Sequence, residues 1–322
     1  MVGDRIPLLD LGEYRAGVVG ARERVAEVIA RTCEDTGFML LANHGIAAEE
    51  IEAVFAAAAS FFDRELEFKL HYKIGELNIG YLPNGAQVVR TSTVAVNKKP
   101  NNSESFYIVR DPDAADLAAG KPFLAPNRWP EGMEGFRAAT TGYFGQMQAM
   151  AHSMLPAFAA ALGLEPGYFE GDFREPSCTL RLIRYPAQDA GEADRFGFAP
   201  HIDTNFVTFL AQSALPGLEV RTREGEWIRP PAIPGTFVVN TAEMLGRYSN
   251  DRFAPTPHRV VNSSGALRHA IPFFYGPGND AVVQVVPTCV GEGNPARYEP
   301  VLYLDHRRKL NVANFAHRQK TP

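Results

Sequence analysis

The run FAPHIDTNFVTFL, residues 198–210, sets His201 and Asp203 two positions apart within an alternating apolar pattern. On a β-strand residues i and i+2 share a face, so both metal-competent side chains would point the same way from one rigid element. A third ligand is available in His258, within TPHRVV at the start of another β-run. Two histidines and one carboxylate make a facial set that suits Fe(II) and leaves the opposite coordination positions open. An HxD pair alone is a weak signal, because such pairs also arise by chance; the neighbouring residues strengthen it. In LRHAIPFF, alternation puts Arg268, Ala270 and Pro272 on one face, and Tyr185 ends LRLIRYP. A permanently charged guanidinium and a phenol near an iron are suited to hold the far carboxylate of a chelating keto acid. Charge is consistent with this: Fe(II), one aspartate and a dianionic 2-oxoglutarate leave one net negative charge, which Arg268 offsets on burial.

These side chains need a rigid frame, and the second half of the chain is patterned to supply one. After Pro176 come short β-rich runs: CTLRLIRYP, FVTFLAQ, LEVRT, TFVVNTA, HRVVN, LRHAIPFFY and AVVQVVP. Turn residues separate them at intervals suited to an antiparallel sandwich or barrel. The first third reads as mixed α/β. Val25, Val28, Ile29 and Cys33 recur at helical spacing, and Gly37 stands where that helix should stop. FMLLANHGI (38–46) reads as a buried strand ending in a turn, Ala47 to Phe62 as a second helix, and 75–105 as loops or irregular strands. A helical pattern covers 133–163, with Pro156 marking a kink or a break. From Tyr303 onward the basic, polar residues predict a helix or tail on the outside. The expected fold class is mainly β with flanking α-helices, built on a jelly-roll core.

Composition narrows the function classes. The 322 residues suffice to bury a large core, and 45% hydrophobic with 21% charged residues is ordinary for a soluble globular protein. A net charge of −5 argues against a nucleic-acid or anionic-membrane surface. No apolar stretch approaches the ~18 residues of a membrane span, and MVGDRIPLLDLGEYRAG lacks the apolar core of a signal peptide. Three widely spaced cysteines, Cys33, Cys178 and Cys289, form no CxxC pattern and read as small buried thiols in a reducing compartment. The expectation is a cytoplasmic protein, monomeric or a weak homo-oligomer. Its expected partner is a small-molecule substrate, with neither nucleic acid nor membrane.

Taken in order, IPLLDL, GFMLLANHGI, GYLPNG, NRWP, LRLIRYP, PHIDTNFVTFLAQ, GLEV, PGTFVVNTAEMLGRYSNDRFAPTPHRVV and IPFFYGP run over nearly the whole chain. In content and spacing the sequence resembles the 2-oxoglutarate/Fe(II)-dependent oxygenases of the isopenicillin N synthase-like group. The resemblance implies a double-stranded β-helix, with His201, Asp203 and His258 as iron ligands and Arg268 and Tyr185 as contacts to the distal carboxylate of 2-oxoglutarate. It also implies a division into an N-terminal α/β buttress (1–120), linking helices (121–175), the oxygenase jelly roll (176–285) and a C-terminal extension (286–322). Fe(II), 2-oxoglutarate and O₂ are the implied cofactors. The implied reaction oxidises a small organic molecule, by hydroxylation, desaturation or cyclisation, and yields succinate and CO₂. This chain departs from the group's pattern twice. Ala270 stands where the group usually has a serine hydroxyl beside the arginine, and Ile183 stands where many members carry asparagine.

The substrate pocket is expected to include Asn205, Phe206 and Phe274, the two aromatics reading equally well as core. Phe196 and Phe198 read the same way. Arg90, Lys98, Lys99 and Arg110 flank loops expected near the pocket mouth, where a solvated basic face explains them equally well. His44 is expected to serve a turn with Gly45 at positive φ, and His269 to face away from Arg268. Two other readings of the triad remain at this point. One is an Fe(II)/O₂ oxidase in which Arg268 binds the substrate's own carboxylate without 2-oxoglutarate. The other is a zinc hydrolase or metal-stabilised binding protein, disfavoured because no general-base motif such as HExxH accompanies the triad.

Overall fold

The computed structural model describes residues 5–90, 92, 94–95, 97, 99–188, 195–253, 255–262 and 264–314, the last four by backbone only. Strands β1 (Leu8–Asp10), β2 (Phe38–Ala42), β3 (Gly80–Leu82) and β4 (Glu104–Ile108) precede the β-rich half. That half contributes β5 (Ser177–Tyr185), β6 (Phe198–His201), β7 (Val207–Gln212), β8 (Leu218–Arg221), β9 (Trp227–Ile228), β10 (Phe237–Thr241), β11 (His258–Val260) and β12 (Arg268–Gly276). The short pair β13 (Val282–Val283) and β14 (Val301–Leu302) follows. The helices before the β-rich half are α1 (Gly12–Arg15), α2 (Ala21–Asp35), α3 (Ala48–Phe62), α4 (Leu66–His71), α5 (Ala114–Ala118), α6 (Glu134–Ser153) and α7 (Leu155–Ala161). Two more, α8 (Glu243–Tyr248) and α9 (Tyr303–Asn314), lie within and after it.

An eight-stranded sheet, ordered β1-β2-β10-β7-β12-β5-β4-β3, and a four-stranded sheet, ordered β6-β11-β8-β9, make the jelly roll. The N-terminal strands extend the larger sheet at both edges, β2 against β10 and β4 against β5. Strand alternation then assigns each side chain a side. On one face Leu180, Leu182, Phe209, Val239, Ile271, Phe273 and Tyr275 join Ile29, Phe61, Met147 and Phe158 of the helices in the main core. On the other face Ile183, Tyr185 and Ala270 pack with Phe198 and Val260 of the smaller sheet. The interior between the sheets is thus reserved for the complementary set on β12: Arg268, Ala270, Pro272 and Phe274. Pro272 lies in a central strand, and the β12–β5 register skips Ile271 and Pro272, as expected where an N–H is missing.

The local expectations largely hold. Gly37 takes φ 65° after α2 and Gly45 takes φ 86° in the turn after His44, backbone that a Cβ would disfavour. Pro156 sits in the first turn of α7, so the 133–163 pattern is two helices rather than one. The stretch 75–105 does contain a regular strand, β3, which its glycine and asparagine content obscured. The C-terminal segment is a helix, yet it does not lie merely on the outside: Tyr303 is buried, and its hydroxyl approaches so near Gly276 that a Cβ there would lie 2.5 Å from it.

Candidate active site

His201 and His258 face each other across the β6–β11 ladder, their ring centroids 4.2 Å apart. Asp203 joins them differently from the expectation. β6 ends at His201, and Asp203 lies in the corner that carries the chain to β7 in the other sheet. Hydrogen bonds pull it out of the strand. The Asp203 carboxylate accepts from Thr208 Oγ1 at 2.7 Å and from Asn240 Nδ2 at 2.9 Å, both in the larger sheet. Its carbonyl accepts from the Glu243 N–H at 2.9 Å. His201 Nε2 and His258 Nε2 come to 3.4 and 3.7 Å from Asp203 Oδ1.

The tautomers follow from the second nitrogens. His201 Nδ1 is 2.9 Å from the Ala199 carbonyl and His258 Nδ1 is 3.3 Å from that of Thr256. A carbonyl only accepts, so each Nδ1 carries the proton and each Nε2 presents a lone pair to Asp203. Burial, reinforced by His201, pushes His258 down to about 4, which keeps it neutral at physiological pH. Burial opposes ionisation of the Asp203 carboxyl, while donation from Asn240 Nδ2 favours its carboxylate form. One ligand atom from each residue lies within 4.8 Å of the others. Converging lone pairs repel one another unless a cation lies between them, and this two-nitrogen, one-oxygen set fits Fe(II).

Arg268 enters the same cleft from β12. Only 1% of it is exposed. Nε donates to the Leu215 carbonyl at 3.2 Å, while Nη1 and Nη2 are buried with no hydrogen-bond partner. The Tyr185 ring lies under the guanidinium at 5.1 Å, and a Cβ at Gly217 would come to 3.0 Å from Nε, so the glycine of GLEV permits the close approach. Two guanidinium nitrogens left open at the end of a cleft holding three metal-type donors fit a carboxylate reaching back from the metal.

The cleft is lined by His201, Asp203, His258, Arg268, Tyr185 and Ala270. It shares His201, Asp203, Phe198, Phe274 and Arg181 with a larger cavity of about 550 Å³. Phe274 and Asn205 line that cavity, although the Asn205 amide nitrogen already donates to the Val207 carbonyl at 2.6 Å. Phe206 does not line it. Fully buried, it packs edge-on against Phe158, Phe169 and Phe173, because it lies just before β7, outside the strand's alternation, and joins the helix-side core. Phe198 is a wall residue, and Phe196 lies beside Arg259 instead. His44 stacks on Phe237 and His269 on Phe62, away from the cleft. Arg110 turns to Asp116 at 2.6 Å, Arg90 and Lys99 are exposed, and Lys98 is outside the described residues.

Sequence reasoning passed over Arg181, Thr208, Asn240 and the whole contribution of α9. Arg181 shares the alternation phase of Tyr185 in LRLIRYP, so its inward direction was readable. Thr208 and Asn240 lie in other strands and carried no local signal. Tyr303, Arg307 and Leu310 close one side of the cavity.

A jelly roll with this donor set defines a class of metal-dependent oxidoreductase, and comparison with known proteins agrees. Residues 6–132 match the profile of the non-haem dioxygenase in morphine synthesis N-terminal region, and residues 176–277 that of the 2OG-Fe(II) oxygenase superfamily. A 2-oxoglutarate-Fe(II) type oxidoreductase of Metarhizium rileyi is 31% identical over 93% of this chain and 85% of its own. Homoarginine-6-hydroxylase of Oryza sativa is 34% identical over 91% of this chain and 90% of its own. A full-length Neurospora crassa protein, solved in complex with alpha-KG and thymine, superimposes with a TM-score of 0.82 at 26% identity, over 95% of each chain. The chain belongs to the 2OG-Fe(II) oxygenase superfamily. It is therefore an oxidoreductase that uses Fe(II), 2-oxoglutarate and O₂ to oxidise a small organic molecule, with succinate and CO₂ as co-products. Among the described residues no helix is long and apolar enough to cross a membrane.

Proposed function

We propose that His201 Nε2, one oxygen of Asp203 and His258 Nε2 hold the iron, and that Arg268 with Tyr185 holds the distal carboxylate of 2-oxoglutarate. The observation that carries the reading is the buried guanidinium of Arg268 with two nitrogens open toward the cleft that contains the triad. Iron in this site supplies O₂ activation coupled to decarboxylation of the keto acid. The protein's own residues do the rest. Thr208 and Asn240 keep one Asp203 oxygen occupied, leaving the other for the metal. The Ala199 and Thr256 carbonyls orient the imidazoles, and Arg268 balances the charge of the cosubstrate. Ala270 lies beside Arg268 on the same face of β12, contributing shape and no hydrogen bond. Phe274, Phe198 and Asn205 form walls that keep the organic substrate against the triad and water away from it.

Hydroxylation is the outcome we assign, supported by the rice relative, whose name is that of a hydroxylase. Molecules on the scale of homoarginine and of the thymine bound to the Neurospora protein fit a cavity of about 550 Å³. In functional terms residues 1–120 buttress the core, 121–175 link, 176–285 carry the site, and the extension 286–322 includes Tyr303 and Arg307, which close the cavity. Three free, buried cysteines support a reducing, cytoplasmic setting, and we take the chain as a monomer or weak homo-oligomer with no nucleic-acid or membrane partner. The test is anaerobic addition of Fe(II) and then 2-oxoglutarate. A visible charge-transfer absorbance that needs both is expected, together with O₂ uptake and succinate formation that need 2-oxoglutarate. O₂ uptake driven by an organic substrate without 2-oxoglutarate would reassign Arg268 to the substrate.

A further inference from the structure

Arg181 is a second buried cation on the cavity wall, only 5% exposed. Its hydrogen bonds go to neutral acceptors: Nε donates to Ser105 Oγ and Nη2 to Gln87 Oε1, each at 3.0 Å. The guanidinium lies between two rings, 4.8 Å from the centroid of Tyr107 and 4.9 Å from that of Phe198. Among the described residues it forms no ion pair, whereas Arg184 on the same strand pairs with Glu104 and Asp63, and Arg259 and Arg229 both pair with Glu219. A buried charge without a counter-charge is costly. In the proposed loaded site the iron, Asp203, 2-oxoglutarate and Arg268 already cancel one another, so none of them supplies that counter-charge.

We infer that the organic substrate is a carboxylic acid whose carboxylate pairs with Arg181. Position supports the assignment. The Phe198 ring that packs on the guanidinium also packs on His201 at 4.4 Å between centroids, so an acid anchored on Arg181 lies one ring away from a metal ligand. Arg181, His201 and Asp203 line the same large cavity, and Tyr107, Phe198, Phe123 and Phe274 give it apolar walls that suit a flat or aromatic remainder. Among the described residues Arg307, at the α9 end, likewise bonds neutral oxygens, of Ser177 and Asn279, and the one carboxylate besides Asp203 on the cavity wall, Glu243, pairs with His306 rather than with either arginine.

This inference rests on the oxygenase reading of the site, and its test separates the two. The Mn(II)-substituted, 2-oxoglutarate-loaded protein is titrated with benzoate and, separately, with benzamide, following its melting temperature and the heat of binding. Benzoate is expected to stabilise the wild type and benzamide to do so far less. Arg181→Met is expected to weaken benzoate by about ten-fold or more while leaving 2-oxoglutarate binding intact, and Arg181→Lys, which keeps the charge, to retain part of the effect. No benzoate effect on the wild type up to about 10 mM, an equal effect of benzamide, or an undiminished effect in Arg181→Met would each overturn the inference. So would an Arg181→Met protein that binds 2-oxoglutarate as weakly as Arg268→Leu does, since Arg181 would then serve the cosubstrate. Failure of the wild type to bind 2-oxoglutarate would instead break the underlying assignment of the site.

Discussion

The two faces of strand β5 carry the same residue type to opposite ends. On the helix-facing side Arg184 meets Glu104 through Nε at 2.6 Å and Asp63 through Nη1 at 3.1 Å. Glu104 is further bound by Lys69 at 2.9 Å and by the Tyr81 hydroxyl at 2.6 Å, so this buried cluster is neutralised from within the chain. On the cavity side Arg181, and Arg268 from the neighbouring strand, have no acid among the described residues. A charge cluster closed on itself ties strands to helices. A buried cation left open marks a place where the chain relies on a bound anion, and it lies where the metal donors converge.

The largest test of that contrast removes a donor on the open side. Asp203→Ala should strip iron and lower turnover by well over the ~100-fold that loss of an outer-shell partner can cost, with the melting temperature nearly unchanged. Iron content near one per chain in that variant would end the assignment. Next come paired truncations. Glu104→Ala leaves Lys69 and Arg184 buried without their carboxylate and should destabilise the fold by about 3–5 kcal/mol in urea unfolding. Arg268→Leu should leave stability equal or higher and weaken 2-oxoglutarate binding by about the same 3–5 kcal/mol, with metal binding retained. Equal losses of stability in both variants would erase the distinction between the faces. Thr208→Val deletes the hydroxyl that holds Asp203, and a fall of about 10–100-fold in Fe(II) affinity is expected by competition with a chelator. The smallest effect is a gain. Ala270→Ser adds a hydroxyl beside Arg268, and a hydrogen bond to a charged group contributes about 1.5–3 kcal/mol, so 2-oxoglutarate should bind roughly ten-fold tighter or more. An ordered water already filling that gap would shrink the gain, and an unchanged affinity in anaerobic titration would mean that the carboxylate is held another way.

Much of this was legible along the chain because it depends on local periodicity. The β-runs after Pro176, the helices ending near Gly37 and Phe62, and the break at Pro156 follow from patterns of 2 and 3.6 residues and from proline's missing N–H. Phe206 misled because an aromatic near the triad looks the same whether the chain turns it toward substrate or core. Only the sheet's placement against Phe158 and Phe169 decides that.

The types and order of the side chains, by themselves, determined that this chain carries two histidines, an aspartate and an arginine suited to iron and a keto acid, on β-runs able to aim them inward. Tertiary structure decided how they meet. Asp203 is turned out of its strand by Thr208 and Asn240, partners from two other strands, and α9 returns from the far end of the chain to close the cavity. It also decided which arginines are neutralised. Whether a buried charge has a counter-charge depends on residues far away in sequence: Glu104 registers against Arg184, and among the described residues no acid reaches Arg181. That balance is a sum over space, and no window of the sequence contains it.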